Sequence, residues 1–471
     1  MNIPKNGRIA IIDDKFDHAK PLIEIFGKNR LPFVYYDGSQ KNLPEEDTNF
    51  NDIRILFLDI YLTGDAHRTD KEIKSTLIPV LNRIISTDNY PYLLVYWSRH
   101  ESEHGKLIQE IFENELKNKS PINYLSLNKS QYFKLNGDKT TLYNKRIPEL
   151  FGRIEKAINK VPIYGHIMKW ENIIHDAADR TVSEVFKIDP PSTWDKNSKF
   201  LFYKLANSFS GKQMGVLEGN AQIKSAFYSM NFVFNDSLED LISKSSSLTV
   251  FDKLLQPRYE NNEVLFSLNK KLLFSDDHAD KYSPGILFEV SPKGGQDKHD
   301  YDNILSSWIN RSLFYKKIEK EIKPELKNLK GKKRISKIKN LRGKKTKDLR
   351  DLIRKDFKKI EVNVTPLCDY VQGKLVYHRI LPGLIINARH LQFINTTSEA
   401  IFISPEFKLP DSKQSEYYLF LLDFRYFNSL HKKSFEMEMK PILRIRQALL
   451  SEIQSKLSRH VNRQGILFLS E

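Results

Sequence analysis

Arg8-Ile-Ala-Ile-Ile-Asp-Asp14 and Ile53-Arg-Ile-Leu-Phe-Leu-Asp59 decide the fold of the first third of the chain. Each is a short, nearly continuous apolar run that ends on an acid. Such runs read as strands buried on both faces, the kind that build parallel sheets. Two further runs end on other chemistry: Tyr92-Leu-Leu-Val-Tyr-Trp-Ser98 on a hydroxyl, and Ile122-Asn-Tyr-Leu-Ser-Leu-Asn-Lys129 on a lysine. In an open parallel α/β sheet, functional groups collect at the carboxyl ends of the strands. Four such ends here carry, in chain order, the pair Asp13 and Asp14, then Asp59, Ser98 and Lys129.

These residue types fit one piece of chemistry. Clustered carboxylates hold Mg²⁺, a hard cation that prefers oxygen ligands. Phosphoryl transfer depends mostly on positioning and charge stabilisation. A lysine offers a point charge to a phosphate oxygen, and a hydroxyl can bond a second oxygen and draw its loop inward.

Residues 1 to about 160 resemble the receiver domain of bacterial two-component response regulators. The resemblance rests on Ile11-Ile12-Asp13-Asp14, Phe57-Leu58-Asp59-Ile60, Tyr96-Trp97-Ser98 and Leu127-Asn128-Lys129. It implies a flavodoxin-like, five-stranded parallel sheet, with Asp59 as phosphoacceptor. It also implies Mg²⁺ held by Asp13, Asp14, Asp59 and the backbone carbonyl of Tyr61, with Ser98 as switch hydroxyl and Lys129 as phosphate contact. The implied partner is a histidine-kinase-type ATPase, and the implied responses are autodephosphorylation and phosphorylation-dependent homodimerisation. The chain departs from the family pattern around the lysine, where Ser130 replaces the usual proline and Ser126 the usual aromatic. Asp59-Ile-Tyr-Leu-Thr63 is also similar to the nucleophile motif of haloacid-dehalogenase-type phosphatases. Tyr61, however, stands where that family has its general acid. Taken singly, each strand-end aspartate is an ordinary turn or cap residue; the set of five is what points to a site.

The 471 residues allow two to four domains. No apolar run is long enough for a bilayer, and the first strand begins too early to leave room for a signal peptide. The single cysteine, Cys368, excludes an intramolecular disulfide and suits a reducing cytosol. A cytoplasmic protein without membrane contact is expected.

The net charge of +16 is concentrated. Between Tyr315 and Lys359 there are 20 Lys/Arg against 6 Asp/Glu, leaving the remainder of the chain near neutrality. Lys327-Asn-Leu-Lys-Gly-Lys-Lys-Arg is echoed by Lys339-Asn-Leu-Arg-Gly-Lys-Lys. Apolar spacing predicts a helical hairpin or two helices broken at Gly331 and Gly343. Lys332, Lys333, Arg334, Lys344 and Lys345 are candidates for contact with nucleic acid or an acidic partner. The competing reading is a solvated linker.

Between these regions the chain reads as helical. Stripes run from Trp170 to Phe186, Phe200 to Phe209, Phe227 to Ile242, Val264 to Leu273 and Ile304 to Tyr315. His166 and His175 read as helix-edge residues rather than phosphate relays. After residue 360, short β-type runs alternate with turns and precede a terminal helix from Ile442 to Val461 and a strand at Gly465-Ile-Leu-Phe-Leu469. Thr365-Pro-Leu-Cys-Asp369 reads as a turn; His378 is the nearest base for a nucleophilic Cys368.

The expected architecture is a receiver-like α/β domain (1–162), a mostly α-helical middle domain (163–314), a basic helical segment or linker (315–359) and a small α+β domain (360–471). The expected function is response-regulator-like signalling to an unfamiliar effector region, of a kind that resembles bacterial stress or phage-defence components. The alternative is a nucleic-acid-associated scaffold with a degenerate, non-phosphorylated receiver.

Overall fold

The computed structural model of the protein describes residues 3–5, 7–45, 52–62, 69–89, 91–99, 101–136, 139–187, 191–211, 219–245, 262–276, 280–290, 301–327, 330–371, 376–409, 416–433 and 439–462. Two compact units divide the chain: Met1–Asn197 with Met230–Leu255, and Ser198–Ser229 with Gln256–Glu471. This division cuts elsewhere than at 162, 314 and 359, for reasons visible in the packing of each unit.

The first unit runs β1 (Ile9–Ile12), α1 (Phe16–Lys28), β2 (Val34–Tyr36), β3 (Ile55–Leu58), α2 (Asp70–Ile84), β4 (Leu93–Ser98), α3 (Glu101–Asn114) and β5 (Asn123–Asn128). A hairpin of β6 (Phe133–Asn136) and β7 (Lys139–Leu142) follows, then α4 (Ile147–Asn159) and α5 (Pro162–Phe186). The five-stranded sheet is wholly parallel in the order β2-β1-β3-β4-β5. That is the expected doubly wound order, and its topological switch point lies between β1 and β3. Strand alternation sends Ile12, Leu56, Leu58, Leu94 and Tyr96 to the face covered by α2 and α3. Ile11, Ile55, Phe57, Val95 and Trp97 go to the face covered by α1 and α4. Burial on both faces is why these strands lack polar alternation.

The helix α5 packs within this unit. Its Tyr164 and Met168 enter the core beneath β1 and β3. Arg54, just before β3 and buried, bonds Glu171 on α5 at 2.8 Å, and Asn172 donates to the Ile3 carbonyl at 3.0 Å.

The division by compactness falls inside both α6 (Trp194–Ser210) and α7 (Gly219–Ser243). The second unit continues with α8 (Asn262–Leu273), β8 (Phe274–Ser275), β9 (Ile286–Val290), α9 (Tyr301–Trp308), α10 (Arg311–Ile322) and α11 (Gly331–Asp356). β10 (Lys358–Asn363), α12 (Leu367–Val371), β11 (Tyr377–Asn387), β12 (Ile401–Ile403), β13 (Tyr418–Asp423), β14 (Asn428–His431), β15 (Met439–Ile445) and α13 (Gln447–Val461) complete it. Its antiparallel sheet has the order β12-β13-β11-β10-β9-β15-β8, with β14 on β11. One face packs on Leu449, Leu450, Ile453 and Leu457 of α13. The other packs on α9, α10 and the second half of α11 through Trp308, Phe314, Leu349 and Ile353.

The middle region is mostly helical, as expected, and the sheet also takes β8 and β9 from it, with β9 lying centrally between β10 and β15. One reading of the sequence is corrected here. Within the basic segment, Gly331–Asp356 is one continuous helix, so of the two expected breaks the one at Gly331 is present and the one at Gly343 is not. Gly331, at φ +56°, starts it, whereas Gly343 lies inside it with open space where a side chain would be. An exposed mid-helix glycine costs only about 1 kcal/mol, too little to break a helix anchored further on. The strand expected at Gly465 lies outside the described residues. Among the described residues no helix is long and apolar enough to cross a membrane.

Gly285 admits β9 to the sheet. Its φ is +86°, and a Cβ there would meet the Ile445 carbonyl oxygen at 2.6 Å. Gly285→Ala is therefore expected to destabilise the protein by on the order of 1–3 kcal/mol. Urea unfolding checks this; an unchanged midpoint would show that β9 docks without the close approach.

Candidate functional site

The parallel sheet brings four of the sequence-selected positions to its carboxyl edge. Asp13 follows β1, Asp59 follows β3, Ser98 ends β4 and Lys129 follows β5 in a 3₁₀ turn. Backbone bonds fix the ends: the Asp59 amide donates to the Ile12 carbonyl at 2.8 Å, and the Asp13 amide to the Tyr36 carbonyl at 3.1 Å. Asp13 Oδ1 accepts the Lys15 amide at 3.1 Å, turning the chain into α1.

The centre of the site is an ammonium shared by two carboxylates. Lys129 Nζ donates to Asp59 Oδ2 at 2.6 Å and to Asp13 Oδ2 at 3.0 Å. All three side chains are buried, as is Ser98. Burial works to lower the Lys129 pKa, but the charges of Asp59 and Asp13 and the two bonds outweigh it, and the net shift is upward. For Asp13 burial dominates. With Asp59 repelling and Lys129 only partly compensating, its carboxyl is pushed up to about 7. One positive charge thus serves two acids, and Asp59 Oδ1 is buried with no hydrogen-bond partner among the described residues. A buried carboxylate oxygen left unsatisfied is costly, and a cation is the ligand that would satisfy it.

A third group stands beside the carboxylates that sequence reading missed. Asp13, His18 and Asp59 each present a ligand atom, all within 4.8 Å of one another, and can together hold a metal ion. His18 sits in the first turn of α1, which faces the site because that helix starts directly after β1. The signal was its place five residues beyond Asp13, at the first helical position able to turn back over the strand end. Burial, followed by the charges of Lys129, Arg99 and Lys15, lowers the His18 pKa to about 4, so its ring is neutral at pH 7.

Asp14 is half-buried beside Asp13, and its side chain is not in that three-residue group. Tyr61 is buried two residues after Asp59, with its hydroxyl 2.8 Å from His104 Nε2. Trp97 stacks on Tyr132 and meets Phe57 edge-on, and it is buried next to Ser98. Elsewhere, His166 and His175 lie half-buried on α5. Cys368 is exposed on the short helix α12, and His378 stacks on Tyr282. Lys332, Lys333, Arg334, Lys344 and Lys345 are all exposed on α11.

No family model matches the chain, and neither a curated protein nor a solved structure matches it.

The raised Asp13 pKa has a defined consequence for stability. A carboxyl that holds its proton more tightly when folded favours folding below its unfolded pKa of 3.8 and loses that advantage as pH rises to about 7. With divalent cations chelated, Asp13→Asn is expected to be more stable than the parent at pH 8, by about 1–4 kcal/mol. The gain should shrink as pH falls and vanish near pH 4. Urea unfolding across that range is the check; a variant less stable at pH 8 would mean the Lys129 pairing outweighs the burial of the Asp13 charge.

Proposed function

We propose that the first unit is a phosphoryl-accepting switch in which Asp59 is the acceptor. The observation that carries this reading is the buried Lys129 ammonium bridging Asp13 and Asp59 at the carboxyl ends of three parallel strands. A purely structural ion pair would not need two acids on one lysine, nor leave Asp59 Oδ1 unsatisfied. In the proposed step, an Asp59 carboxylate oxygen forms a bond to phosphorus as the P–N bond of a phosphohistidine breaks, and the donor imidazole leaves. Lys129 neutralises the oxygens gained, and Ser98 bonds one of them once the group is in place. A divalent cation such as Mg²⁺, held by Asp13 and Asp59 with Asp14 and the Tyr61 carbonyl nearby in the chain, would supply further charge screening. Hydrolysis of the acyl phosphate by water would reset the switch. The donor is a histidine-kinase-type ATPase, and the second unit is the effector or partner-binding part.

Asp59→Asn is nearly isosteric and is expected to abolish acid-labile labelling by a small phosphodonor with Mg²⁺. Beryllofluoride should change the Trp97 fluorescence of the parent and not of the variant. Intact mass and oligomeric state follow the same samples. Undiminished labelling of the variant removes Asp59 from the mechanism.

A second reading rests on α11. From Gly331 to Lys347 this helix holds nine Lys/Arg and no acid. Residues 331–337 are all exposed, while Leu349 and Ile353 anchor the other end in the core. At 1.5 Å per residue the basic stretch is about 24 Å long, a length over which duplex DNA presents on the order of 14 charges. The helix is proposed to contact a nucleic-acid backbone, whether or not the first unit is phosphorylated. Little sequence preference is expected, since the helix carries no base-reading pattern. Binding should weaken steeply with salt, by about 0.9 in log–log slope per phosphate neutralised. Replacing Lys332, Lys333, Arg334, Lys344 and Lys345 by serine should flatten that slope and leave Asp59 labelling unchanged. If the parent binds neither duplex nor single strands at low salt, an acidic protein becomes the partner to test.

A further inference from the structure

Among the described residues, the site at the carboxyl edge of the parallel sheet contains a donor that the phosphoacceptor chemistry does not use. His18 is 7% exposed, and no group among the described residues hydrogen-bonds its ring. Its ligand nitrogen lies within 4.8 Å of carboxylate oxygens of both Asp13 and Asp59. Ligands about 2.1 Å from one ion sit roughly 3 Å apart when adjacent and 4 Å when opposite, so the three donors, within 4.8 Å of one another, need close by only a fraction of an ångström to share a single ion. The second pointer is Asp59 Oδ1, which is buried and unbonded. Its sister oxygen is held by Lys129, which leaves Oδ1 as the free face of that carboxylate.

We propose that His18 is a direct metal ligand, so that Asp13, Asp59 and His18 form a two-carboxylate, one-imidazole centre for a first-row transition-metal dication. Imidazole is a borderline-soft donor. It favours Mn²⁺ and the ions after it over Mg²⁺, which binds through oxygen and gives up its waters reluctantly. The ring comes from the first turn of α1 and the two carboxylates from the ends of β1 and β3, so the three donors converge from separate elements fixed by the fold. The inference rests on the phosphoacceptor reading only in sharing Asp59, and the two can fail separately.

Mn²⁺ is the probe. The full-length protein is titrated with Mn²⁺ and with Mg²⁺ by calorimetry, and the Mn²⁺ complex is measured by pulsed electron paramagnetic resonance. One directly bound imidazole nitrogen is expected, and its signal should change when histidine is labelled with ¹⁵N. His18→Gln should remove the nitrogen signal and weaken Mn²⁺ binding about 10- to 100-fold, with a smaller loss for Mg²⁺. A Mn²⁺ complex with no nitrogen coupling overturns the proposal, as does an equal loss of affinity for both ions. Should the variant fail to fold, the ¹⁵N-histidine measurement on the parent decides alone. Asp59 labelling by a phosphodonor is measured in parallel. Labelling without nitrogen coupling sinks the imidazole ligand and spares the phosphoacceptor; coupling without labelling does the reverse.

Discussion

Everything at the working edge of the first unit depends on one buried ammonium. Lys129 is 2% exposed and holds two carboxylates from two different strands. Three charged groups in a dry site are stable together only if their geometry is held from outside. The parallel sheet holds it: the Asp59 amide is bonded to the end of β1, and the Asp13 amide to the end of β2. The site is in this sense built into the sheet register. A one-residue slip of β3 would carry Asp59 to the opposite face and leave Lys129 with a single partner.

The same arrangement explains why so much of this site was legible. Buried parallel strands are written as apolar runs, and their carboxyl ends are marked by the first polar residue. Asp13, Asp59, Ser98 and Lys129 could therefore be placed with no knowledge of side-chain direction. His18 could not. It lies on α1, where facing the site depends on how the helix leaves the strand, and the Asp13–Lys15 turn sets that angle. The second unit was less legible for a related reason. Ile286-Leu-Phe-Glu-Val290 is too short to separate from a helical fragment by periodicity, and its role as a central strand depends on long-range pairing with β10 and β15. Gly285, whose missing side chain lets it in, leaves no local signal of that close approach.

Gly343 makes the converse point. A glycine inside a strongly basic stretch looks like a break, and like charges at helical spacing disfavour a helix. The helix persists because it is fixed further along, where Leu349 and Ile353 enter the core and Arg354 bonds Asp302 at 2.7 Å. Anchoring at one end supports the exposed turns by propagation, since extending a formed helix is far easier than nucleating one. What the second unit then presents is a helical stretch from Gly331 to Lys347 whose own sequence holds no acid, which local propensity alone does not predict.

In the proposed switch, Ser98 and Trp97 are the route by which a change at the first unit's carboxyl edge would leave it. Ser98 is the last residue of β4, and Trp97 before it is clamped between Phe57 and the aromatic pair Tyr132 and Phe133. Those two residues belong to the turn and hairpin that follow Lys129. An inward pull on Ser98 would drag Trp97 against rings that cannot be compressed, and the hairpin would have to shift with it. The opposite end of the sheet is not free to answer, because the Arg54–Glu171 pair and Asn172 fasten α5 beneath β1 and β3. If the proposed switch operates, the β4–β5 edge with its hairpin is the part that would yield, since α5 is docked at the other end by the Arg54–Glu171 pair and Asn172.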